Sequence, residues 1–82
     1  MLTKKELKAR NEKIISHFSK VMPLNKPMTF AEIANGLIAM EKDLEPEFQK
    51  FYSINRISAC LNNMLIEQGI VKQEEKIFTR IK

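Results

Sequence analysis

Apolar residues recur at helical spacing along the first quarter of the chain. Leu7, Ile14, Phe18 and Val21 fall close to one face, with Ile15 and Met22 widening it, while Lys4, Lys8, Glu12 and Lys20 lie mainly away from it. Thr3 stands where an N-cap belongs, and Glu6 three residues on completes a capping box. The pattern predicts a helix over residues 4–22 whose apolar-poor first turns project from the core. Pro23 stops it, and Pro23-Leu24-Asn25-Lys26-Pro27 reads as a loop.

A second capping box, Thr29 with Glu32, opens the next segment, and Met28 and Ile33 flank it as a hydrophobic staple. Phe30, Ile33, Ala34 and Leu37 form an apolar stripe that Met40 and Leu44 extend, so a helix is expected over residues 29–44. Gly36 costs about 1 kcal/mol in a helix interior and is an alternative, earlier stop. The acidic connection 41–47 follows, with Pro46 suited to the first turn of a short helix or insertion over 46–52, anchored by Phe48, Phe51 and Tyr52. Ser53 then opens the clearest helix, 53–68. Ile54, Ile57, Leu61, Met64 and Leu65 repeat there at spacings of three and four, and Gly69 is suited to a left-handed stop. Beyond it, Ile70-Val71-Lys72 and Ile77-Phe78-Thr79-Arg80-Ile81 flank a short polar stretch, which predicts a β-hairpin over 70–81.

The 82 residues suffice for one domain, and a chain this short buries only about 60–65% of its unfolded surface, so most of its apolar residues are needed in a single core. No apolar run approaches the roughly 18 residues of a membrane span. One cysteine, Cys60, allows no internal disulfide, and cytoplasmic residence is the expectation. A single His and a single Cys cannot supply a zinc site, and Gly36 and Gly69 are too isolated for a phosphate loop, so neither metal nor cofactor is expected. His17 and Cys60 are the only base and thiol that could pair catalytically, but both lie in apolar helical patterns and are read as structural. No catalytic residue is assigned and no enzymatic activity is expected.

The net charge of +4 is unevenly placed. Residues 1–26 carry seven Lys/Arg against two Glu, residues 27–49 one Lys against five acids, and residues 50–82 six Lys/Arg against three Glu. If the two basic segments meet, one face of the molecule suits a polyanion.

The succession of helix, capped helix, helix, Gly, strand, polar turn and strand resembles winged-helix domains. The likeness rests on TFAEIA (29–34), INRISACLNNMLIEQGIV (54–71) and the hairpin to Ile81. It implies a mainly α fold of three or four helices followed by a two-stranded wing, with residues 53–68 as recognition helix. The span from Ala34 to Ser53 exceeds the tight turn of a simple helix-turn-helix and looks like an acidic insertion.

With Ile57, Leu61, Met64 and Leu65 inward, helical geometry turns Asn55, Arg56, Ala59, Asn62 and Asn63 outward. Asn pairs bidentately with adenine, Arg with guanine, and Ala lets bases approach, so these five are the expected base contacts of a small regulator that binds double-stranded DNA. Ser53, Ser58, Lys72, Lys76 and Arg80 are the expected phosphate contacts, with Lys4, Lys5, Lys8, Arg10 and Lys13 available to a second stretch of backbone. Glu74 and Glu75 at the wing tip oppose such contact. They support a competing reading, a winged-helix module that binds protein through residues 41–52 or the wing, with Phe48, Tyr52 and Ile66 as exposed anchors. Pairing of two copies through the first helix is compatible with either.

Overall fold

In the computed structural model, which describes residues 2–82, helix α1 spans Lys4–Val21. Its capping box is formed: Thr3 accepts from the Glu6 amide while the Glu6 carboxylate receives the Thr3 amide. Ile14, His17, Phe18 and Met22 face inward, whereas residues 2–9 are all exposed, so the first turns project as their composition implies.

Residues Pro27–Thr29 form a strand, β1, inside what reads as loop and cap. Thr29 ends β1 and caps helix α2, Phe30–Ala39, in a second complete capping box with Glu32. α2 is shorter than the periodicity predicts. Its last turn closes on Met40, whose amide reaches the Gly36 carbonyl at 3.2 Å. A single 3₁₀ turn, Glu41–Asp43, then carries the chain to Leu44, which still reaches the core. Gly36 is therefore not a stop. It stands where α2 crosses α1, and a Cβ there would lie 2.5 Å from Val21 Cγ1.

The expected helix over 46–52 is reduced to one 3₁₀ turn, Pro46–Phe48. What orders this connection is aromatic packing. Phe48 and Tyr52 are buried, and Phe51 meets both rings edge-on with centroids 5.1 Å apart. Phe48 and Tyr52 are therefore core residues and not exposed anchors for a partner.

Helix α3 begins at Ile54 and keeps α-helical winding to Cys60, then continues through Leu61–Ile66 as a π-helical stretch. The backbone stays right-handed through the junction, with Leu61 at φ −60° and ψ −52°, so the rod is continuous although its second half is wider. It ends in a full Schellman motif: Gly69, at φ +73°, donates to the Ile66 carbonyl and Ile70 to that of Leu65.

β2 (Val71–Glu74) and β3 (Ile77–Arg80) form the expected hairpin, closed by Glu75 and Lys76. The sheet has three strands where two are expected, because β1 pairs antiparallel with β3 in the order β1-β3-β2. Met28, Val71 and Phe78 turn to the helices, and the single core runs through Phe18, Ile33, Leu37, Ile57, Leu61 and Leu65. The observed class is mainly α with a small antiparallel sheet.

Candidate functional site

The N-terminus of α3 is set by Ser53, whose Oγ accepts from the Arg56 amide at 3.1 Å. Ile57, Cys60, Leu61 and Leu65 are buried, and this fixes the rotation of the rod. Asn55, Arg56, Ala59, Asn62 and Asn63 all lie on its exposed side. Asn62 donates weakly to Ser58 Oγ at 3.4 Å, while Asn55 and Asn63 make no side-chain hydrogen bond among the described residues. One helix surface thus carries three carboxamides beside a small residue, each carboxamide able to donate and accept.

Arg56 stands at the edge of that surface. Its guanidinium carbon lies 4.5 Å from the centroid of the Phe51 ring, a cation–π contact that fixes the side chain. Arg10, from α1, approaches the same ring at 5.9 Å. Neither arginine pairs with a carboxylate among the described residues. Sequence reading names both arginines but misses the ring that gathers them. Phe51 precedes α3, five positions before Arg56, in a segment without regular periodicity.

The expected phosphate contacts divide. Ser53 is the cap of α3, and Ser58 is half-buried. On the hairpin, Lys72 pairs with Glu74 at 3.0 Å, an exposed contact of small energy that a ligand can displace. Arg80 is turned toward the body: Nε donates to the Met22 carbonyl at 2.6 Å and Nη1 to that of Lys82 at 2.9 Å. It clasps β3 to the end of α1, beside the backbone bond from Asn25 to the Arg80 carbonyl. Of these three hairpin cations, only Lys76 is exposed and without a partner among the described residues.

His17 and Cys60 do not build a catalytic pair. His17 bridges α1 to the connection, with Nδ1 2.7 Å from the Tyr52 hydroxyl and Nε2 3.3 Å from Glu45 Oε2. Burial lowers its pKa, outweighing the Glu45 carboxylate, so the ring is neutral near pH 7. With Nε2 protonated it donates to Glu45 and accepts at Nδ1 from Tyr52, which satisfies every polar atom of the group. The Cys60 thiol is buried and pushed up by desolvation, with Arg56 and Arg10 acting the other way, which makes it a poor nucleophile.

Among the described residues, no group of three or more His, Cys, Asp or Glu side chains is arranged to hold a metal. Among the described residues, no helix is long and apolar enough to cross a membrane. Comparison of the chain with protein-family models, curated proteins and solved structures finds no match.

Proposed function

We propose that this chain is a winged-helix domain that binds double-stranded DNA, with α3 in the major groove. The observation that carries the reading is the side of α3 on which Asn55, Arg56, Ala59, Asn62 and Asn63 stand exposed while Ile57, Leu61 and Leu65 of the same rod are buried and Ile54 at its start is exposed. The succession α1, α2, α3 and the β2–β3 hairpin matches the order that the resemblance implies and supports the fold assignment, while β1 adds a strand to it. Three carboxamides and a guanidinium match the donor and acceptor edges of adenine and guanine in that groove.

The wing is assigned a lesser role than the recognition helix. Its tip is acidic, Lys72 is paired and Arg80 is turned inward, so Lys76 is the wing's phosphate contact. The basic residues of α1 and α3 supply the remaining charge.

Titration of a duplex across salt concentrations tests the reading. Affinity is expected to fall steeply with salt, at a log–log slope of about −0.9 per phosphate neutralised. Arg56→Ala combined with Asn62→Ala is expected to lower affinity at least tenfold, since one lost base contact costs about 1–3 kcal/mol. Unchanged affinity in that double variant rejects α3 as the reading element.

A protein-binding reading has one specific support: Ile77 and Ile81 are exposed and line a shallow cleft on the outer face of the sheet with Pro27 and Thr79. A partner retained after nuclease treatment and lost on Ile77→Glu favours that reading over DNA.

A further inference from the structure

Asn35 is the one asparagine of the chain that is followed by glycine, whereas Asn11, Asn25, Asn55, Asn62 and Asn63 each precede a residue with a full side chain. An asparagine amide before glycine is open to attack by the next backbone nitrogen, because no Cβ on the following residue stands in the way. In the folded chain that attack is blocked. Asn35 and Gly36 lie inside α2, where the Gly36 amide is engaged in the i→i−4 ladder. Ring closure needs the Asn35 Cβ and the Gly36 nitrogen eclipsed about the Cα–C bond, and a helical ψ of about −42° keeps them apart. The helix cannot unwind there alone, since Ile33, Ala34 and Leu37 on either side are buried in the core. The Asn35 side chain itself is exposed and lines an open cleft between α1 and α2, within reach of water.

We propose that Asn35 is a site of spontaneous deamidation that α2 keeps closed and that reacts only in molecules whose core has opened. The Gly36 nitrogen, its proton taken by hydroxide, bonds to Cγ of Asn35. The Cγ–N bond of the side-chain amide breaks, and the leaving nitrogen takes a proton from water and departs as ammonia. Water then cleaves one of the two C–N bonds of the cyclic imide. Cleavage at Cγ leaves aspartate, while cleavage at the main-chain carbonyl leaves isoaspartate, with the chain routed through Cβ and one atom longer. Isoaspartate cannot rejoin the ladder of α2, and it displaces Gly36 from its close seat against Val21. A molecule that has opened and reacted in this way does not regain the native packing. The site is independent of what α3 touches.

The test incubates the intact chain at mildly alkaline pH, both folded and in denaturant, and follows peptides spanning residue 35 by mass spectrometry and isoaspartate content. Aspartate and isoaspartate are expected to accumulate at this position in the unfolded chain, ahead of the other asparagines, and to be suppressed in the folded one. Arg80→Met removes a clasp between β3 and the end of α1. Folded, that variant is expected to react about tenfold faster than the native chain. The ratio of the two rates is expected to match the ratio of their unfolding constants from denaturant titration. Equal rates in the folded and unfolded native chain overturn the gate, and no conversion of Asn35 in denaturant overturns the site. Folded rates that ignore the difference in unfolding constants show local unwinding of α2 and overturn the dependence on the core.

Discussion

At Gly36 the missing Cβ lets α2 lie against Val21 of α1, and that contact accounts for a glycine in the middle of a helix. Alanine in a helix interior is better than glycine by about 1 kcal/mol, whereas overpacking costs about 1–3 kcal/mol. Gly36→Ala is accordingly expected to destabilise the native chain by about 1 kcal/mol in denaturant unfolding and to stabilise a Val21→Ala background. Additive effects in that double-mutant cycle would contradict the close contact. The same scale governs His17. Its folded pKa lies below the ordinary 6.5, so the unfolded chain binds the proton more tightly than the folded one. Stability from the neutral ring is complete above pH 6.5 and is lost as pH falls through the folded value. Glu32 and Glu45, held below the ordinary 4.5 mainly by hydrogen bonds to backbone amides, add a further loss in stronger acid. Unfolding measured from pH 7 to pH 5 is expected to show declining stability in the native chain and a flatter profile in His17→Gln, which starts about 1–3 kcal/mol lower.

At the scale of elements, the features legible in the sequence are those announced by local chemistry. Two capping boxes place the starts of α1 and α2, and Gly69 places the end of the third rod, because each acts within a few residues. β1 escapes such reading. Pro27-Met28-Thr29 is too short to show alternation, and its partner in β3 is remote in sequence. The π winding after Cys60 is hidden for a different reason: the aliphatic spacing of three and four fits either winding closely enough. Arg80 shows how a correct element can carry a misassigned side chain. Its position on a basic wing suggests phosphate, while the register of β3 points its Nε at the Met22 carbonyl. Arg80→Met is expected to lower stability by about 1.5 kcal/mol, the scale of a hydrogen bond to a charged group, and to leave the salt dependence of duplex binding unchanged. A reduced salt slope in that variant would return Arg80 to the DNA.

For the whole molecule, the acidic connection turns out to be an internal brace. Phe48 and Tyr52 pack against His17 and Phe18 of α1, Lys13 reaches Glu47, and Phe51 gathers arginines from α1 and α3. Its aromatic side is thereby buried or occupied, and the exposed side of α3 keeps Asn55, Arg56, Asn62 and Asn63 at the surface. The exposure of Asn55, Arg56, Ala59, Asn62 and Asn63 is legible in the sequence because burial of one stripe dictates exposure of its opposite. The brace was not, since it depends on which aromatic rings meet across the fold. The account stands or falls on what touches that side of α3. Backbone amide shifts recorded while a duplex is added measure this most directly. The largest changes are expected at Asn55, Arg56, Ala59, Asn62 and Asn63, with little at Ile77 and Ile81. Shifts confined to the outer face of the sheet, or none at all at low salt, would contradict it.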